Sequence, residues 1–278
     1  MGVEVINAII VGAGGRMGRM VVRAIQDAEG IACRGAVEAT GHPSLGRDVG
    51  VVAGLGELGV RVEDDLAAVI PRGDVIIDFT SAEASVRNME VAAQHHKSMV
   101  VGSTGFSPEQ MEAVRKLAKE IPCVLSPNMS TGVNLMFKVV EEIARILGHD
   151  YDIEIIEAHH RLKKDAPSGT ALRLGEVIAR ALGRNWEEVG VYARKGVIGE
   201  RTKEEIGIQS IRAGDIVGEH TVIFGGIGER IEVTHRAHTR DAFARGAIRA
   251  AKWVICQKPG LYDMADVLGL KGSVVDKL

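Results

Sequence analysis

The first half of the sequence alternates short apolar runs with amphipathic segments, and this alternation restricts the possible folds more than any other feature. Continuous apolar runs are typical of parallel strands buried on both faces, and the amphipathic segments between them supply crossover helices. We therefore predict an α/β fold built on a doubly wound parallel sheet that binds ligands at the carboxyl ends of its strands. The strand-like runs are 7–12, 32–38, 74–80, 98–104 and 123–128, and the helical segments are 16–28, 82–96 and 107–121.

The second half of the sequence has a different pattern. A helical segment at about 131–147 is followed by a strand-like run at 151–160 and by a helix at 168–183 that ends at Gly183. Residues 206–237 contain three strand-like runs separated by glycine turns, which predicts an antiparallel meander without a crossover helix. We expect a second, mixed α+β domain with a largely antiparallel sheet. The predicted domains are 1–130, completed by 239–278, and 131–238.

The composition excludes several classes of protein. With 46% apolar residues, 26% charged residues and a net charge of −3, the chain suits a soluble globular protein without a broadly basic surface. Cys33, Cys123 and Cys256 lack the spacing of a zinc site, so we expect reduced thiols and no metal. No apolar run approaches the roughly 18 residues of a membrane helix. We expect a cytoplasmic protein that binds neither nucleic acid nor a membrane.

A glycine-rich loop joins the first strand to the first helix. The segment VGAGGRMGRM contains Gly12, Gly14, Gly15 and Gly18. Such glycines permit a tight turn and let backbone N–H groups approach a pyrophosphate at the positive helix N-terminus. Glu38 ends the second strand, where a carboxylate would hold the ribose hydroxyls. The pattern predicts NADH or NADPH as cofactor, although a glycine turn that only packs the helix on the strand has the same sequence.

The residue after Glu38 bears on the choice between the two cofactors. An arginine there would bind the 2′-phosphate of NADPH, but the position is occupied by Ala39. Arg16, in the glycine loop, is the obvious basic group left for that phosphate, and it could equally be a solvated arginine at the helix start. We therefore expect NADH to serve at least as well as NADPH.

Two later loops follow strands at the same edge of the predicted sheet. The segment GSTG at 102–105 could contact the nicotinamide ribose through its backbone, or it could be a plain strand-to-helix turn. The segment SPNMSTGVN at 126–134 ends the last strand of the series and leads into the second domain. Both loops are candidates for cofactor binding because ligands of such sheets bind at the carboxyl ends of the strands.

The segment EAHHRLKKDAPSGTAL at 157–172 concentrates titratable groups before a helix. His159 and His160 are adjacent rather than four residues apart, which disfavours a metal site. The helix start at Ser168, Gly169 and Thr170 offers backbone N–H groups to an anion, and Lys163 and His160 lie close enough in sequence to contact the same carboxylate. An ordinary N-cap for Ser168 and a hydrogen-bonded core histidine for His159 remain open alternatives.

Seven segments in this order resemble the 4-hydroxy-tetrahydrodipicolinate reductase (dihydrodipicolinate reductase) family. The resemblance covers essentially the whole chain, and the His-His-x-x-Lys-x-Asp-Ala-Pro-Ser-Gly-Thr run is its most specific part. It implies a Rossmann-like nucleotide domain, a homotetramer, and reduction of a small cyclic dicarboxylate by NADH or NADPH in diaminopimelate and lysine biosynthesis. The segments are VGAGGRMGRM, GSTGF, SPNMSTGVN, EAHHRLKKDAPSGTAL, RAGDIVGEHTVIF, GERIEVTHRAHTRDAFARGA and GLYDMADVLGL.

The resemblance also implies roles for individual residues. His159 matches the proton donor and acceptor of the family, and Lys163 matches a proton donor. The substrate-binding positions are His160, Gly169 and Thr170, to which the helix start adds Ser168. The cofactor-binding positions are Gly12, Ala13, Gly14, Gly15, Arg16, Met17, Glu38, Gly102, Ser103, Thr104, Ser126, Pro127, Asn128 and Met129.

The chain departs from the family at three positions, none of them catalytic. Ala39 replaces the arginine found in several members, Ser103 stands in a loop that is usually Gly-Thr-Thr-Gly, and Met129 occupies a position where an aromatic residue is common. Two alternative functions remain. One is another small-acid or amino-acid NAD-dependent dehydrogenase, such as an aspartate-dehydrogenase-like protein, and the other is a non-catalytic NAD(H)-sensing protein.

Overall fold

The structure, a computed structural model, describes residues 5–272 as two compact units. The first unit contains the chain up to Thr131 together with Asp241–Gly269, and the second contains Gly132–Arg240 and the short segment 270–272. The predicted domains also include residues 1–4 and 273–278, which lie outside the described residues. Across 5–272, no helix combines the length and apolar character needed to cross a membrane.

The strands and helices are numbered along the chain. The strands are β1 (Ile6–Val11), β2 (Ile31–Val37), β3 (Val62–Glu63), β4 (Val75–Asp78), β5 (Ser98–Val101), β6 (Pro122–Leu125), β7 (Asp152–His159), β8 (Gly190–Val191), β9 (Ile206–Arg212), β10 (Gly218–Gly225), β11 (Arg230–Ala237) and β12 (Gly260–Tyr262). The helices are α1 (Arg16–Gln26), α2 (Val49–Ala53), α3 (Leu66–Val69), α4 (Ala82–Gln94), α5 (Pro108–Leu117), α6 (Thr131–Leu147), α7 (Gly169–Ala181), α8 (Trp186–Val189), α9 (Asp241–Val254) and α10 (Met264–Val267).

The sheet of the first unit has seven strands in the order β12-β6-β5-β4-β1-β2-β3. Each pairing in this sheet is parallel. Because β2 and β4 lie on opposite sides of β1, the chain reverses its direction across the sheet next to β1, and the carboxyl end of β1 is where such folds bind nucleotides. The prediction of a doubly wound, Rossmann-like sheet is confirmed.

Helices cover both faces of this sheet, as its continuous apolar strands predict. Neighbouring residues of β4 point to opposite faces, so Ile76 packs in one core with helices α3, α4 and α5. Ile77 packs in the other core with helices α1 and α9. Helix α9 follows the second unit in sequence and supplies Ala244, Ala247, Ala250 and Ala251 to that core, so the first unit is completed only after the chain has passed through the second.

The sheet of the second unit has five strands in the order β11-β10-β7-β9-β8. Strands β10 and β11 form an antiparallel hairpin, and β10 also pairs antiparallel with β7. Strand β9 pairs with β7 instead of β10, and that pairing is parallel. The three strands predicted within 206–237 are present, but the predicted meander is wrong. The chain crosses over from β7 through α7 and α8 to the edge strand β8, and β9 then inserts between β7 and β8, parallel to both.

The N-terminus of α1 packs tightly on the turn that follows β1. Gly12 adopts a left-handed conformation with φ +74°, which favours glycine. A Cβ atom added to Gly18 would collide with the carbonyl oxygen of Gly12 and lie 2.7 Å from Cα of Ala13. The missing side chain at Gly18 is therefore what lets the helix begin so close to the strand.

We predict that Gly18→Ala lowers the free energy of unfolding by about 1–3 kcal/mol, the usual cost of an extra carbon in a packed site. The matched control is Gly56→Ala in the same unit, where an added Cβ would meet no described atom within 4 Å. Urea unfolding followed by circular dichroism measures both variants. Equal stabilities for the two variants would contradict this account of the packing.

Candidate active site

The glycine loop forms an open cradle at the N-terminus of α1. Gly15 is the N-cap residue and supplies no side-chain cap, and the first turn of α1, all of it described, carries no acidic residue. The N–H groups of Gly12 and Ala13 donate to the carbonyl of Val37 on the neighbouring strand, which fixes the loop against β2. An uncapped helix N-terminus beside a glycine turn suits a pyrophosphate, so these residues fit a dinucleotide cofactor.

Glu38 lies beside the same loop, directly after β2. One oxygen of its carboxylate accepts the N–H of Gly14 at 2.8 Å, and the other accepts the N–H of Ala39 at 3.0 Å. The N–H of Gly14, assigned above to the pyrophosphate, therefore holds Glu38 in place. A carboxylate fixed in this way fits ribose hydroxyls, since each oxygen keeps further acceptor capacity.

The loop after β5 contains a buried serine pair. Ser103 is 6% exposed, and its hydroxyl accepts a hydrogen bond of 2.8 Å from the hydroxyl of Ser85 on α4. The pair ties the loop to α4, so the backbone of residues 102–104 is the part suited to a cofactor. Gly102 packs against the ring of Phe79, where a side chain at position 102 would not fit.

The loop after β6 is held by its own polar groups. Ser126 is buried, and its hydroxyl donates to the carbonyl of Asn128 at 2.9 Å. The side-chain oxygen of Asn128 accepts the N–H of Ser130 at 2.9 Å. The side chain of Met129 packs in the core of the first unit. The carbonyl of Met129 lies against Gly246 of α9, where a Cβ atom would not fit. Residues 126–129 fit a cofactor through their backbone.

Asp78, which the sequence analysis did not single out, stabilises the loop after β4. This carboxylate is fully buried at the end of the strand. It accepts hydrogen bonds from the backbone and the hydroxyl of Thr80, at 2.8 and 2.6 Å, and from the side-chain amide of Asn88 at 2.8 Å. A Cβ on Gly12 would lie 3.0 Å from Thr80, so Asp78 fixes one wall of the glycine cradle.

In the second unit, a buried polar cluster forms where the apolar face of the sheet ends. Alternate residues of β7 share a face, and the buried Ile153 and Ile155 on that face are followed by Glu157 and His159. Strand β9 changes in the same way, from Ile208 to the polar residues at 210 and 212. The site is the polar end of an otherwise apolar core face.

Glu157 is the centre of this cluster, and none of its side chain is exposed. Its carboxylate accepts both terminal nitrogens of Arg212, at 2.7 and 2.9 Å, and the N–H of Ser168 at 3.1 Å. Nδ1 of His159 lies 2.6 Å from the carboxylate. Burial alone raises the pKa of Glu157, but hydrogen bonds from His159, Arg212 and Ser210 outweigh it and hold the pKa well below its ordinary value. Glu157 is therefore ionised.

The other predicted residues of this unit surround the start of α7. Nζ of Lys163 lies 2.9 Å from the carboxylate of Asp165. The backbone N–H of Lys163 donates to the carbonyl of His160 in a tight turn. Nδ1 of His160 is buried and has no hydrogen-bond partner among the described residues. A Cβ added to Gly169 would meet no described atom within 4 Å, so there is room for a ligand beside the start of α7, where the helix dipole favours an anion.

Ser168 is the N-cap of α7, as its alternative interpretation held, and it is 2% exposed. Its hydroxyl accepts the N–H of Ala171 at 3.2 Å and lies 3.0 Å from Nε2 of His220. The side chain is therefore used within the protein as an N-cap, and a contact between Ser168 and the substrate stays a prediction.

His220 lies under His159 and was not among the predicted site residues. The two rings meet edge to face, with 5.2 Å between their centres, and His220 is 4% exposed. Burial, and after it the charge of a protonated His159, lowers the pKa of His220 to about 3; His235 and Lys163 act in the same direction and Glu157 opposes them. His220 is therefore neutral at physiological pH.

We predict that His220 makes the protein less stable in mild acid. The unfolded chain binds a proton here below about pH 6.5, whereas the folded chain binds it only near the lowered pKa of about 3. Stability is therefore lost as the pH falls from about 6.5 towards 3. His220→Gln should reduce that loss in urea unfolding at a series of pH values. The exposed His238→Gln is the control, and identical slopes for His220→Gln and the wild type would refute the assignment.

The sequence analysis did not single out Glu157, Arg212 or His220, and of these three only Glu157 could have been recognised. Glu157 lies two residues before His159 on the same strand, so strand periodicity places the two side chains on one face. Arg212 and His220 gave no such signal, because only the pairing of β7 with β9 and β10 brings them to Glu157. No trio of His, Cys, Asp or Glu residues in the described part of the chain is arranged to hold a metal ion.

Two family models match the chain, one for each part. The model of the dihydrodipicolinate reductase N-terminus matches residues 6–129, and that of the C-terminus matches residues 132–268. Among solved structures, dipicolinate-bound dihydrodipicolinate reductase from Paenisporosarcina sp. TG-14 superposes with a TM-score of 0.75 at 25% identity, over 94% of this chain and 98% of that one.

Curated relatives agree with the family models. A 4-hydroxy-tetrahydrodipicolinate reductase from Syntrophus aciditrophicus is 59% identical over 266 residues, which cover 96% of this chain and 99% of the relative. The enzyme of the same name from Geotalea uraniireducens is also 59% identical, over 96% of this chain and 100% of its own length. With its glycine cradle, its His-Lys segment and both family models matched in order, this chain belongs to the dihydrodipicolinate reductase family.

Proposed function

We propose that the protein reduces 4-hydroxy-tetrahydrodipicolinate to tetrahydrodipicolinate, with loss of water, at the expense of NADH or NADPH in the diaminopimelate route to lysine. The observation that carries this proposal is the pairing of His159 with the ionised Glu157, whose carboxylate also accepts the N–H of Ser168 at the start of α7. The names of the 59% identical relatives support it, and so does the dipicolinate bound to the solved reductase. The alternative dehydrogenase and sensor functions find no support in these relatives.

His159 is the proposed proton donor. Loss of the 4-hydroxyl group as water would leave a conjugated ring that can accept, at C4, the hydride that a nicotinamide cofactor would supply. Charge then develops on the ring nitrogen and carboxylate side, where a proton must arrive. An imidazole can both hold and release a proton in the physiological pH range, and acid catalysis of this kind contributes roughly 10²–10⁴-fold.

The start of α7 and Lys163 are the proposed site for one carboxylate of the substrate. The N–H groups at Gly169 and Thr170 and the positive end of the helix favour an anion there. Lys163 is 21% exposed and is held by Asp165, which is 62% exposed and can exchange with a ligand carboxylate. Lys163 would then both neutralise the substrate and supply a proton, with His160 closing the same site.

The cofactor would be held by the glycine cradle, Glu38 and the loops at 102–104 and 126–129, where it supplies hydride. The left-handed turn at Gly12 and the uncapped start of α1 would take the pyrophosphate, with Ala13, Arg16 and Met17 around it. Glu38 would take the adenosine ribose. We also expect a homotetramer, which the family resemblance implies; sedimentation velocity would test it.

The decisive test of this function is an assay with freshly synthesised 4-hydroxy-tetrahydrodipicolinate. The expected result is loss of NADH absorbance that depends on both enzyme and substrate, with tetrahydrodipicolinate as product. Aspartate plus NAD⁺ tests the alternative dehydrogenase, and tight NADH binding without turnover of any substrate would favour the sensor. Absence of turnover with the synthesised substrate would refute the proposal.

We predict that His159→Gln lowers kcat by about 100-fold or more, because the loss of general acid catalysis costs roughly 10²–10⁴-fold. Lys163→Ala should raise KM and lower kcat together, since the side chain serves both charge and proton transfer. Lys164→Ala is the matched control, a neighbouring lysine that is exposed and has no proposed role. Steady-state kinetics distinguish the three variants. Wild-type kcat in His159→Gln would eliminate its role, and no change in either constant for Lys163→Ala would eliminate that of Lys163.

We predict that kcat/KM does not favour NADPH over NADH by tenfold or more. Ala39 offers no charge to the 2′-phosphate, so Arg16 is the basic group proposed to meet it. Ala39→Arg should shift the preference towards NADPH through a lower KM for that cofactor, because arginine binds phosphate with paired hydrogen bonds. A wild-type preference for NADPH above tenfold would show that the phosphate is recognised elsewhere.

A further inference from the structure

The ring of His159 is hydrogen-bonded to a carboxylate on its own strand, and the ring of His220 packs against it edge to face. Nδ1 lies 2.6 Å from Glu157, and both oxygens of that carboxylate are occupied by His159, Arg212 and the N–H of Ser168. Arg212 is itself anchored, because it also donates to the carbonyl of Asp165. The carboxylate therefore has a single orientation towards the ring.

This contact decides which nitrogen of His159 carries the proton in the neutral ring. An ionised carboxylate can only accept a hydrogen bond, so Nδ1 must be the donor. Nε2 is then the atom that exchanges a proton with a ligand. Nε2 lies against Gly218 of β10, where a Cβ atom would come within 3.0 Å of it. Because residue 218 is glycine, no side chain crowds Nε2 from that strand.

We propose that Glu157 is a positioning residue that keeps Nδ1 of His159 protonated, directs Nε2 to the substrate and stabilises the imidazolium form that donates the proton. This inference rests on the proposed function, because it assigns the proton donor of that reaction. Glu157 would not touch the substrate, since its side chain is fully buried and its oxygens are used within the protein.

The titratable groups near His159 lie on its own strand, on β9 and β10, and in the loop before α7. Glu157 lies on the same strand, Arg212 on β9 and His220 on β10, and the loop contributes Lys163 with its partner Asp165. Arg212 and Lys163 disfavour a second positive charge, Asp165 offsets Lys163, and His220 is neutral. Glu157 is the carboxylate that contacts the ring of His159 directly, and it favours the imidazolium.

A simpler interpretation makes Glu157 and Arg212 a structural ion pair only. The chain contains a matched pair that serves as the control. Glu154 lies on β7 as well, binds two nitrogens of Arg194 at 2.8 Å each, and points to the opposite face of the sheet from His159. A purely structural role predicts similar behaviour of the two carboxylates, whereas the proposal predicts an effect on catalysis at Glu157 alone.

The experiment compares Glu157→Gln and Glu154→Gln with the wild type over a range of pH. We expect Glu157→Gln to lower kcat about tenfold or more, a part of the total that acid catalysis supplies, with a smaller change in KM. The decline of kcat at alkaline pH should move to lower pH, because the amide favours the imidazolium less than the carboxylate does. Glu154→Gln should keep the wild-type profile, and melting curves show that each variant is folded.

A double-mutant cycle tests whether Glu157 acts through His159. In a His159→Gln background, Glu157→Gln should cause no further loss of kcat, because the group that it positions is already gone. The same loss in both backgrounds would overturn the proposal. Wild-type kcat and pH profile in folded Glu157→Gln would overturn it as well.

Nitrogen NMR of the histidine-labelled wild type tests the proposal without any assay. The His159 signals, identified by their absence in His159→Gln, should show Nδ1 protonated in the neutral ring. Protonation at Nε2 instead would overturn the positioning role, even if Glu157→Gln does not fold. If the wild type fails to turn over 4-hydroxy-tetrahydrodipicolinate while NMR shows Nδ1 protonated, the proposed function fails and the positioning contact stands.

Discussion

The buried carboxylate of Glu157 is the interaction on which the second unit depends. Removing such a charge from water costs several kcal/mol unless charge and hydrogen bonds compensate it. The compensation comes from β9 through Arg212, from the first turn of α7 through Ser168, and from His159 on the same strand. The carboxylate of Glu157 therefore keeps its hydrogen bonds only if α7 packs over β7 and β9 pairs beside it.

The same constraint places the polar site at the end of the core. Three strands carry apolar side chains along the face under α7 and turn polar at the same edge: β7 at Glu157, β9 at Ser210 and β10 at His220. Helix α7 covers the apolar part of this face and begins beside its polar end, where Ser168 is the N-cap. The proposed site for a ligand carboxylate lies at this helix start, next to Lys163 and the His159–Glu157 pair.

The sequence predicted what local patterns encode. Continuous apolar strands and amphipathic helices defined the parallel sheet, and the glycine turn after β1 predicted the cradle with Glu38 beside it. The sequence did not predict which strands pair across long stretches of chain. The three strands in 206–237 look like a meander in sequence, but β9 pairs with β7. For the same reason the sequence indicated only some of the residues that contact His159. Strand periodicity could have indicated Glu157, whereas Arg212 and His220 reach it only through strand pairing.

The most direct test of the account is to follow the hydrogen itself. NADH carrying deuterium at both C4 positions should transfer one deuterium to C4 of the ring when the protein reduces 4-hydroxy-tetrahydrodipicolinate in ordinary water. Mass spectrometry and NMR of the product would show that single label. A product without deuterium at C4, formed while NADH is consumed, would contradict hydride addition at the site described here.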